Sequence, residues 1–304
     1  MKLYNTVEVP VEEFASNLNL QIVYGGRGKV PVNSRNVTRP GLQLSGYFEH
    51  FDHNRIQVIG MAEHEYCATM SDQKKGKMFY ELFSRNVPCL IVARSLEITQ
   101  TVINEAKKFE CPIFLSPNVT THVVNDIYAY LTRLLAPETR RHGVLMDVSG
   151  VGVLIEGHAG IGKSELALEL INRGHRLVAD DSVIIRLVND VLVGTSPERI
   201  RNYMEIRGLG IINVQTMWGP GSVRQEKTID IVVELEKWDQ EKKYDRIGDE
   251  SLTENILGVD MFKLLIPVSP GRNIPTIIET AARKYRLKQN GYDAATELLE
   301  KVMK

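Results

Sequence analysis

Several features are scarce in this chain of 304 residues, and each scarcity removes a class of protein. The sequence contains no apolar run of the roughly 18 residues that a membrane-spanning helix needs. Cys67, Cys89 and Cys111 are too few and too far apart for a disulfide framework or a Cys-x-x-Cys metal site, so a reducing compartment fits. Basic and acidic residues balance, 37 against 38, which gives no support to nucleic-acid binding. Because the segment after Met1 lacks the apolar core of a signal peptide, we expect a cytoplasmic protein.

The strongest positive signal is a phosphate-loop pattern at residues 157–164. It consists of Gly157, His158, Ala159, Gly160, Ile161, Gly162, Lys163 and Ser164. In this pattern the glycines let backbone N–H groups point at a phosphate, the lysine contacts the β and γ oxygens, and the serine hydroxyl binds Mg²⁺. The apolar segment 152–156 predicts a strand before the loop, and the spacing at 165–171 predicts a helix after it. Nucleotide phosphates are therefore expected at a helix N-terminus.

Alternating strand and helix patterns before the loop predict an α/β domain with a partly parallel sheet. Strands are predicted at 56–61, 89–92 and 112–115, and helices at 71–86, 97–109 and 118–135. A polar break at 137–141 indicates a boundary between an N-terminal domain of unknown role, residues 1–136, and a second domain, residues 137–304. In the first domain His50, His53 and His64 have no cysteine or carboxylate at ligand spacing, so we interpret them as surface histidines.

The second domain has its own α/β pattern around the phosphate loop. A hairpin is predicted to turn at Ser149-Gly150 into the strand that precedes the loop. Further strands are predicted at 176–179, 183–188, 191–193 and 229–235, and helices at 275–289 and 293–303.

Two acidic residues follow a predicted strand shortly after the loop. Asp180 and Asp181 succeed an apolar stretch, where a carboxylate beside Mg²⁺ or a catalytic base would lie. Side chains of adjacent strand residues point to opposite faces, so the two acids need not share one role. Taken alone, the pair is equally consistent with a surface turn. The phosphate loop upstream favours the functional interpretation.

A second unusual stretch runs EIRGLGIINV from Glu205 to Val214. Its glycines allow the backbone to approach a ligand closely, and Glu205 could hold a metal ion. Arg246 and Arg272 each stand in a predicted loop, although a single loop arginine is usually only solvated.

Together these segments resemble the HPr kinase/phosphorylase family, bifunctional bacterial enzymes that act on a seryl residue of HPr, a phosphocarrier of the sugar phosphotransferase system. The resemblance covers the whole chain and is strongest from His142 to Arg286. Its most specific marks are residues 205–214, the Lys-Ser-Glu end of the phosphate loop, the spacing to residues 179–181, and Pro-Gly-Arg-Asn at 270–273. It implies an N-terminal α/β domain followed by a P-loop kinase domain similar in fold to phosphoenolpyruvate carboxykinase.

The resemblance also implies roles for individual residues. Lys163 would grip the β- and γ-phosphates, and Ser164 and Glu205 would bind Mg²⁺. Asp181 would be the general base with Asp180 assisting, and His142 and Arg246 would be active-site residues. The matching signature positions are Glu205, Arg207, Gly208, Gly210 and Asn213, and a loop needed mainly for dephosphorylation comprises Pro267, Val268, Ser269, Pro270, Gly271 and Arg272.

The activity implied by the resemblance runs in two directions. ATP or pyrophosphate would phosphorylate a serine of HPr, and inorganic phosphate would remove that phosphoryl group to give pyrophosphate. A homohexamer, regulation by fructose 1,6-bisphosphate and phosphate, and a role in carbon catabolite regulation are implied in the same way. Neither a nucleic acid nor a membrane is expected as a partner.

Two other functions use the same phosphate loop. A small-molecule kinase or carboxykinase relative would phosphorylate its substrate without a partner protein. A non-catalytic regulator would bind ATP only, and the acids at 180, 181 and 205 argue against it because a pure binder needs no base.

Overall fold

The protein folds into two compact units, Met1–Ala136 and Pro137–Lys304, and each is a mixed α/β structure. The structure is a computed structural model that describes residues 6–239 and 252–292, together with Glu297 and Lys301. The predicted α/β class is confirmed in both units. None of the helices in the described ranges is long and apolar enough to cross a bilayer.

The first unit is built on a five-stranded sheet in the order β2-β7-β6-β5-β4, in which β4, β5, β6 and β7 are parallel. The strands of this unit are β1 Val7–Pro10, β2 Gln21–Tyr24, β3 Lys29–Val32, β4 Val37–Thr38, β5 Ile56–Ile59, β6 Leu90–Val92 and β7 Ile113–Leu115. Its helices are α1 Val11–Asn17, α2 Gly41–Leu44, α3 Met61–Ala68, α4 Asp72–Phe83, α5 Gln100–Lys108 and α6 Thr120–Leu134.

Both faces of this sheet are buried, which explains the apolar runs in its strands. Leu90 and Val92 of β6 share a core with residues of α3, α4 and α5. Ile91, between them, packs in a separate core with residues of α1 and α6. The alternation follows from the two-residue period of a strand. The strand predicted at 56–61 is shorter in the structure, because β5 ends at Ile59 and Met61 already begins α3. The sequence pattern did not predict this helix. His64 of α3 is partly buried and is therefore not the surface histidine expected, while the other two histidines interpreted in that way are exposed.

The second unit contains a six-stranded sheet in the order β11-β9-β10-β17-β19-β18, a four-stranded sheet β16-β13-β12-β8 and the hairpin β14-β15. Its strands are β8 Glu138–His142, β9 Val144–Val148, β10 Val151–Gly157, β11 Arg176–Ala179, β12 Ser182–Val188, β13 Val191–Thr195, β14 Tyr203–Ile206, β15 Gly210–Asn213, β16 Glu226–Thr228, β17 Ile231–Lys237, β18 Thr253–Ile256 and β19 Val259–Val268. Its helices are α7 Lys163–Asn172, α8 Val214–Trp218 and α9 Ile274–Gln289, with short 3-10 turns at Glu198–Ile200 and Pro220–Ser222.

Strand β10 lies inside the larger sheet and delivers the phosphate loop to its edge. It pairs antiparallel with β9 and parallel with β17, and β17 pairs parallel with β19. One core joins this sheet to α7 and α9, and another joins it to the smaller sheet. The predicted hairpin at Ser149-Gly150 and the helix at 275–289 are confirmed, whereas the helix predicted at 293–303 falls largely outside the described residues.

A glycine in β10 leaves no room for a side chain. A Cβ atom on Gly152 would overlap the carbonyl oxygen of Thr228. The same residue is fixed from both sides, because its N–H donates to the Asp230 carboxylate at 2.6 Å and its carbonyl accepts from the Asp230 N–H at 2.8 Å.

Gly152→Ala is therefore expected to destabilise the second unit, because backbone atoms cannot move aside as a flexible side chain can. We expect its thermal midpoint to fall by roughly 4 °C or more, as overpacking does in a domain of this size. The fluorescence of Trp218 and Trp238, the two tryptophans of the chain, follows this unit alone. Gly221→Ala is the matched control, since a Cβ there meets nothing within 4 Å. Equal midpoints for the two variants would contradict the packing argument.

Candidate active site

The phosphate loop joins the end of β10 to the start of α7, in the order that the sequence predicts. Gly157, Gly160 and Gly162 have φ angles of +144°, +76° and +101°, which residues with a side chain rarely adopt. A Cβ atom on Gly157 would also lie 2.6 Å from the carbonyl oxygen of Leu235 on β17. Glycine is thus required here for the backbone to curl and leave its N–H groups available to an anion.

Lys163 is buried beneath the loop that it follows. Its ammonium group donates to the carbonyl oxygens of Gly157 at 2.9 Å and His158 at 3.2 Å. The charge is therefore held at the centre of the loop, where the N-terminal end of α7 adds to the positive potential. This arrangement suits a phosphate group.

Asp180 follows the end of β11 and links it to α7 and β14. Its carboxylate accepts a hydrogen bond from the Ser164 hydroxyl at 3.1 Å and one from the Glu205 backbone N–H at 3.3 Å. The residue is only 5% exposed. Burial raises the pKa of Asp180, and the hydrogen bonds from Glu205 and Ser164 oppose that rise. The hydrogen bonds thus offset only part of the cost of burying this carboxyl group.

Asp181 has a different environment from its neighbour. Its backbone is left-handed, with φ of +66°, and its side chain is 72% exposed. Oδ1 of Asp181 lies 3.1 Å from Nδ1 of His142. The pairing of β8 with β12 explains this contact, since it places His142 opposite Ser182. One acid is thus buried and the other exposed. Both lie after the end of β11 at Ala179, so the left-handed backbone of Asp181 separates them and not the alternation of a strand.

The unusual stretch beginning at Glu205 forms the hairpin of β14 and β15. The side chain of Glu205 is exposed, although its N–H contacts Asp180. The Arg207 guanidinium approaches the phosphate loop, since a Cβ on Gly160 would lie 3.9 Å from its Nη2 atom. Gly208 and Gly210 both have positive φ and form the turn, and Asn213 caps α8 by accepting from the Thr216 N–H at 2.9 Å.

Large apolar side chains are exposed at the turn of this hairpin. Leu209 is 65% exposed and Ile211 is 74% exposed. Exposed apolar residues that lie together mark interaction surfaces more often than isolated ones do. The turn therefore offers a contact surface on the element that carries Arg207.

The segment Pro267–Arg272 lies at the same edge of the sheet as the phosphate loop. Gly157 is aligned with Leu235 of β17, and Leu235 with Ile266 of β19. The expectation of a loop holds only in part, because Pro267 and Val268 still belong to β19. The turn follows them, with positive φ at Gly271, and the Arg272 side chain donates back to the Pro267 carbonyl at 3.3 Å. Arg246 lies outside the described residues.

A charged network beside the loop was not predicted from the sequence. Arg141 lies 2.9 Å from Glu254 and 4.0 Å from Glu156, the residue before Gly157. Lys263 contacts Glu254 at 3.0 Å and Glu234 at 2.6 Å. Burial and the nearby Glu254 raise the pKa of Glu156. The network draws on β8, β10, β17, β18 and β19, so it depends on how distant strands pair and the sequence gives no local signal for it.

The donors around Ser164 suit Mg²⁺ in a nucleotide site. Within the described ranges, no three His, Cys, Asp or Glu side chains come together as a dedicated metal cage. Mg²⁺ in kinases is held instead by one or two carboxylates, a hydroxyl, waters and the phosphates themselves. The buried Asp180 carboxylate and the Ser164 hydroxyl, 3.1 Å apart, fit that pattern.

Known proteins resemble this chain over almost its whole length. The model described as HPr Serine kinase C-terminal domain matches residues 133–302, and that described as HPr Serine kinase N terminus matches residues 9–131. A relative named HPr kinase/phosphorylase from Caldanaerobacter subterraneus subsp. tengcongensis is 46% identical over 98% of each chain. One of the same name from Thermoanaerobacter pseudethanolicus is 45% identical over 98% of each chain. A solved HPr(Ser) kinase/phosphatase from Coxiella burnetii is 39% identical, with a TM-score of 0.48, over 53% of this chain and 98% of that one.

The raised pKa of Asp180 has a consequence for stability that can be measured. A carboxyl whose pKa is higher in the folded state makes the protein less stable as the pH rises from the unfolded pKa through the folded one. Asp180→Asn removes the charge and keeps an acceptor for Ser164. We expect it to raise the thermal midpoint at pH 7 by roughly 2–4 °C, and expect the gain to shrink toward pH 4.

Asp181→Asn is the matched control for this measurement, because its side chain is exposed. Its midpoint should stay close to that of the wild type at both pH values. A loss of stability in Asp180→Asn at pH 7 would show that the ionised carboxylate stabilises the fold.

Proposed function

This chain belongs to the HPr serine kinase family and is a kinase/phosphorylase enzyme, and from that premise we propose that it transfers a phosphoryl group between ATP or pyrophosphate and a seryl hydroxyl of HPr. The observation that carries the proposal is the pairing of two acids beside the phosphate loop. One, Asp180, is buried against Ser164, and the other, Asp181, is exposed.

In this proposal the loop binds the nucleotide and the buried acid prepares its metal site. The loop N–H groups and Lys163 hold the β- and γ-phosphates. Ser164 and Asp180 would hold Mg²⁺, with the exposed side chain of Glu205 as a further acid close by. When bound, Mg²⁺ neutralises charge on the phosphate oxygens. Arg207 adds a positive charge beside Gly160.

Asp181 is the group best suited to handle the proton of the acceptor serine. In the forward direction its carboxylate takes the proton of the seryl hydroxyl while the oxygen bonds to the γ-phosphorus and ADP leaves. His142, 3.1 Å from it, orients the carboxylate. In the reverse direction an oxygen of inorganic phosphate attacks the phosphorus of phosphoserine and the bond from phosphorus to the serine oxygen breaks. Pyrophosphate forms, and Asp181 returns a proton to the serine oxygen.

The segment Pro267–Arg272 serves the reverse direction in this proposal, since it lies at the same sheet edge as the phosphate loop. Arg272 supplies the positive charge there, and Ser269 has none. Arg246 is proposed as an active-site residue, and only the family resemblance supports that role. A homohexamer, a carboxykinase-like catalytic fold, control by fructose 1,6-bisphosphate and phosphate, and a role in carbon catabolite regulation are proposed on the same basis.

A protein substrate is favoured over a small one by the exposed turn of the signature hairpin. Leu209 and Ile211 give that turn an apolar surface, and Arg207 of the same hairpin approaches Gly160. A small-molecule kinase has no need of such a surface. A regulator without catalysis is opposed by the family membership and by the exposed Asp181–His142 pair.

The proposal is tested by incubating the protein with Mg-ATP and HPr and detecting phosphoserine by mass spectrometry. Excess inorganic phosphate should then remove the phosphoryl group and release pyrophosphate. Asp181→Asn should retain ATP binding, measured by calorimetry, and lose transfer by about 10²-fold or more, as the loss of a general base does.

Lys163→Ala is the matched control, because it should weaken ATP binding and transfer together. The proposal is wrong if HPr stays unmodified while ATP is hydrolysed. Full transfer activity in Asp181→Asn would remove that residue from the mechanism.

The apolar turn gives a separate prediction about substrate recognition. Replacing Leu209 and Ile211 together by serine should raise KM for HPr by roughly tenfold, the effect of losing about 1.4 kcal/mol of contact. The affinity for Mg-ATP should be unchanged, because both side chains are exposed to solvent. Met217→Ser is the control, as it is 58% exposed on α8, outside the turn. An unchanged KM in the double variant would exclude the turn from the docking surface.

A further inference from the structure

The residue before His142 reaches from one sheet of the second unit to the other. Strand β8 is the last strand of the four-stranded sheet and pairs with β12, whereas the phosphate loop follows β10 of the six-stranded sheet. Nη1 of Arg141 lies 2.9 Å from Glu254 on β18 and 4.0 Å from Glu156 on β10. Adjacent side chains of a strand point to opposite faces, so Arg141 makes this contact while His142 meets Asp181 at 3.1 Å.

The chain on the other side of His142 is also fixed. Gly143 is the single residue between β8 and β9, and its N–H donates to the carbonyl oxygen of Asp181 at 3.1 Å. A Cβ atom on Gly143 would lie 2.6 Å from the carbonyl oxygen of Ile155 on β10. His142 therefore stands between a backbone contact at Gly143 and a charged side-chain contact at Arg141, and both contacts reach β10.

The acids around Arg141 depend on it for charge balance. The network joins Glu156, Glu234 and Glu254 to Arg141 and Lys263. Burial and the nearby Glu254 raise the pKa of Glu156, and Arg141 opposes that rise. The side chains of Glu156 and Glu254 are only 14% and 16% exposed, so solvent screens their repulsion poorly. Loss of Arg141 would leave this repulsion less compensated and would release β8 from the strand that carries the phosphate loop.

We propose that Arg141 is a positioning residue for phosphoryl transfer, which holds the His142–Asp181 pair at a fixed distance from the phosphate loop. Arg141 contacts neither the nucleotide nor HPr in this role and acts through the backbone that it shares with His142. The role depends on the proposed function, since it takes Asp181 as the group that handles the serine proton. Misplacing a reacting group by about 1 Å can slow a reaction by about 10²-fold, so an ion pair beside the site is able to control kcat.

The test compares variants of the full chain by their kcat at saturating Mg-ATP and HPr, with phosphoserine measured by mass spectrometry. Arg141→Met removes the charge and keeps a flexible aliphatic side chain, and we expect kcat to fall about tenfold. Arg141→Lys should keep kcat within about threefold of the wild type, because Nη1 makes both contacts and an ammonium group can replace it. The fluorescence of Trp218 and Trp238 shows whether each variant is folded at the assay temperature.

Arg186→Met is the matched control for the loss of an ion pair on β8. Arg186 of β12 lies 2.6 Å from Glu138, the first residue of β8, so this pair is at the opposite end of the strand from His142. Its loss weakens the same sheet without releasing the end that carries His142. The variant should therefore have the kcat of the wild type.

A second comparison shows whether Arg141 acts through Asp181. In Asp181→Asn the proposed base is already absent, and the remaining transfer is measured over a long incubation. Adding Arg141→Met to this variant should lower the remaining kcat by no more than about twofold, the usual scatter between independent effects. The two substitutions are thus expected to be strongly non-additive, as residues that act as a unit are.

Three outcomes would overturn this role for Arg141 and leave the proposed function intact. The first is a wild-type kcat in Arg141→Met, including the case in which only KM for HPr changes, which would make Arg141 a docking residue. The second is a loss in Arg141→Met that recurs in full in the Asp181→Asn background. The third is an equal loss in Arg186→Met. If the wild-type protein leaves HPr unmodified, the proposed function fails, and the role of Arg141 with it.

Discussion

The catalytic unit depends on one buried carboxylate, that of Asp180. It is the point at which the first turn of α7, the end of β11 and the strand β14 meet, through Ser164 and the Glu205 backbone. Protein donors reach it, yet burial still raises its pKa. A bound cation and its nucleotide would supply the positive charge that the protein withholds.

The chain places two adjacent acids in different environments by changing the backbone conformation between them. Asp180 follows the end of β11 with its side chain buried, and the left-handed conformation of Asp181 turns the next side chain toward solvent and His142. A buried carboxylate can hold a metal but cannot reach a hydroxyl on another protein. An exposed one can do so. Separating environments in this way is how neighbouring titratable groups acquire different roles.

The sequence predicted the parts of this site that depend on local structure. The strand, loop and helix around Lys163 are contiguous, and the two acids directly follow the next strand, so pattern and motif suffice. The network of Arg141, Glu156 and Glu254 could not be predicted, because it depends on which distant strands pair and in what register.

Asp180 also shows why a site of this kind depends on its ligand. Its carboxylate is removed from water and accepts hydrogen bonds from the Ser164 hydroxyl and the Glu205 N–H. A buried charge is costly unless it is paired with an opposite charge and hydrogen-bonded. Mg²⁺ held beside Ser164, as we propose, would supply that charge, and part of its binding free energy would come from relieving the cost of burial.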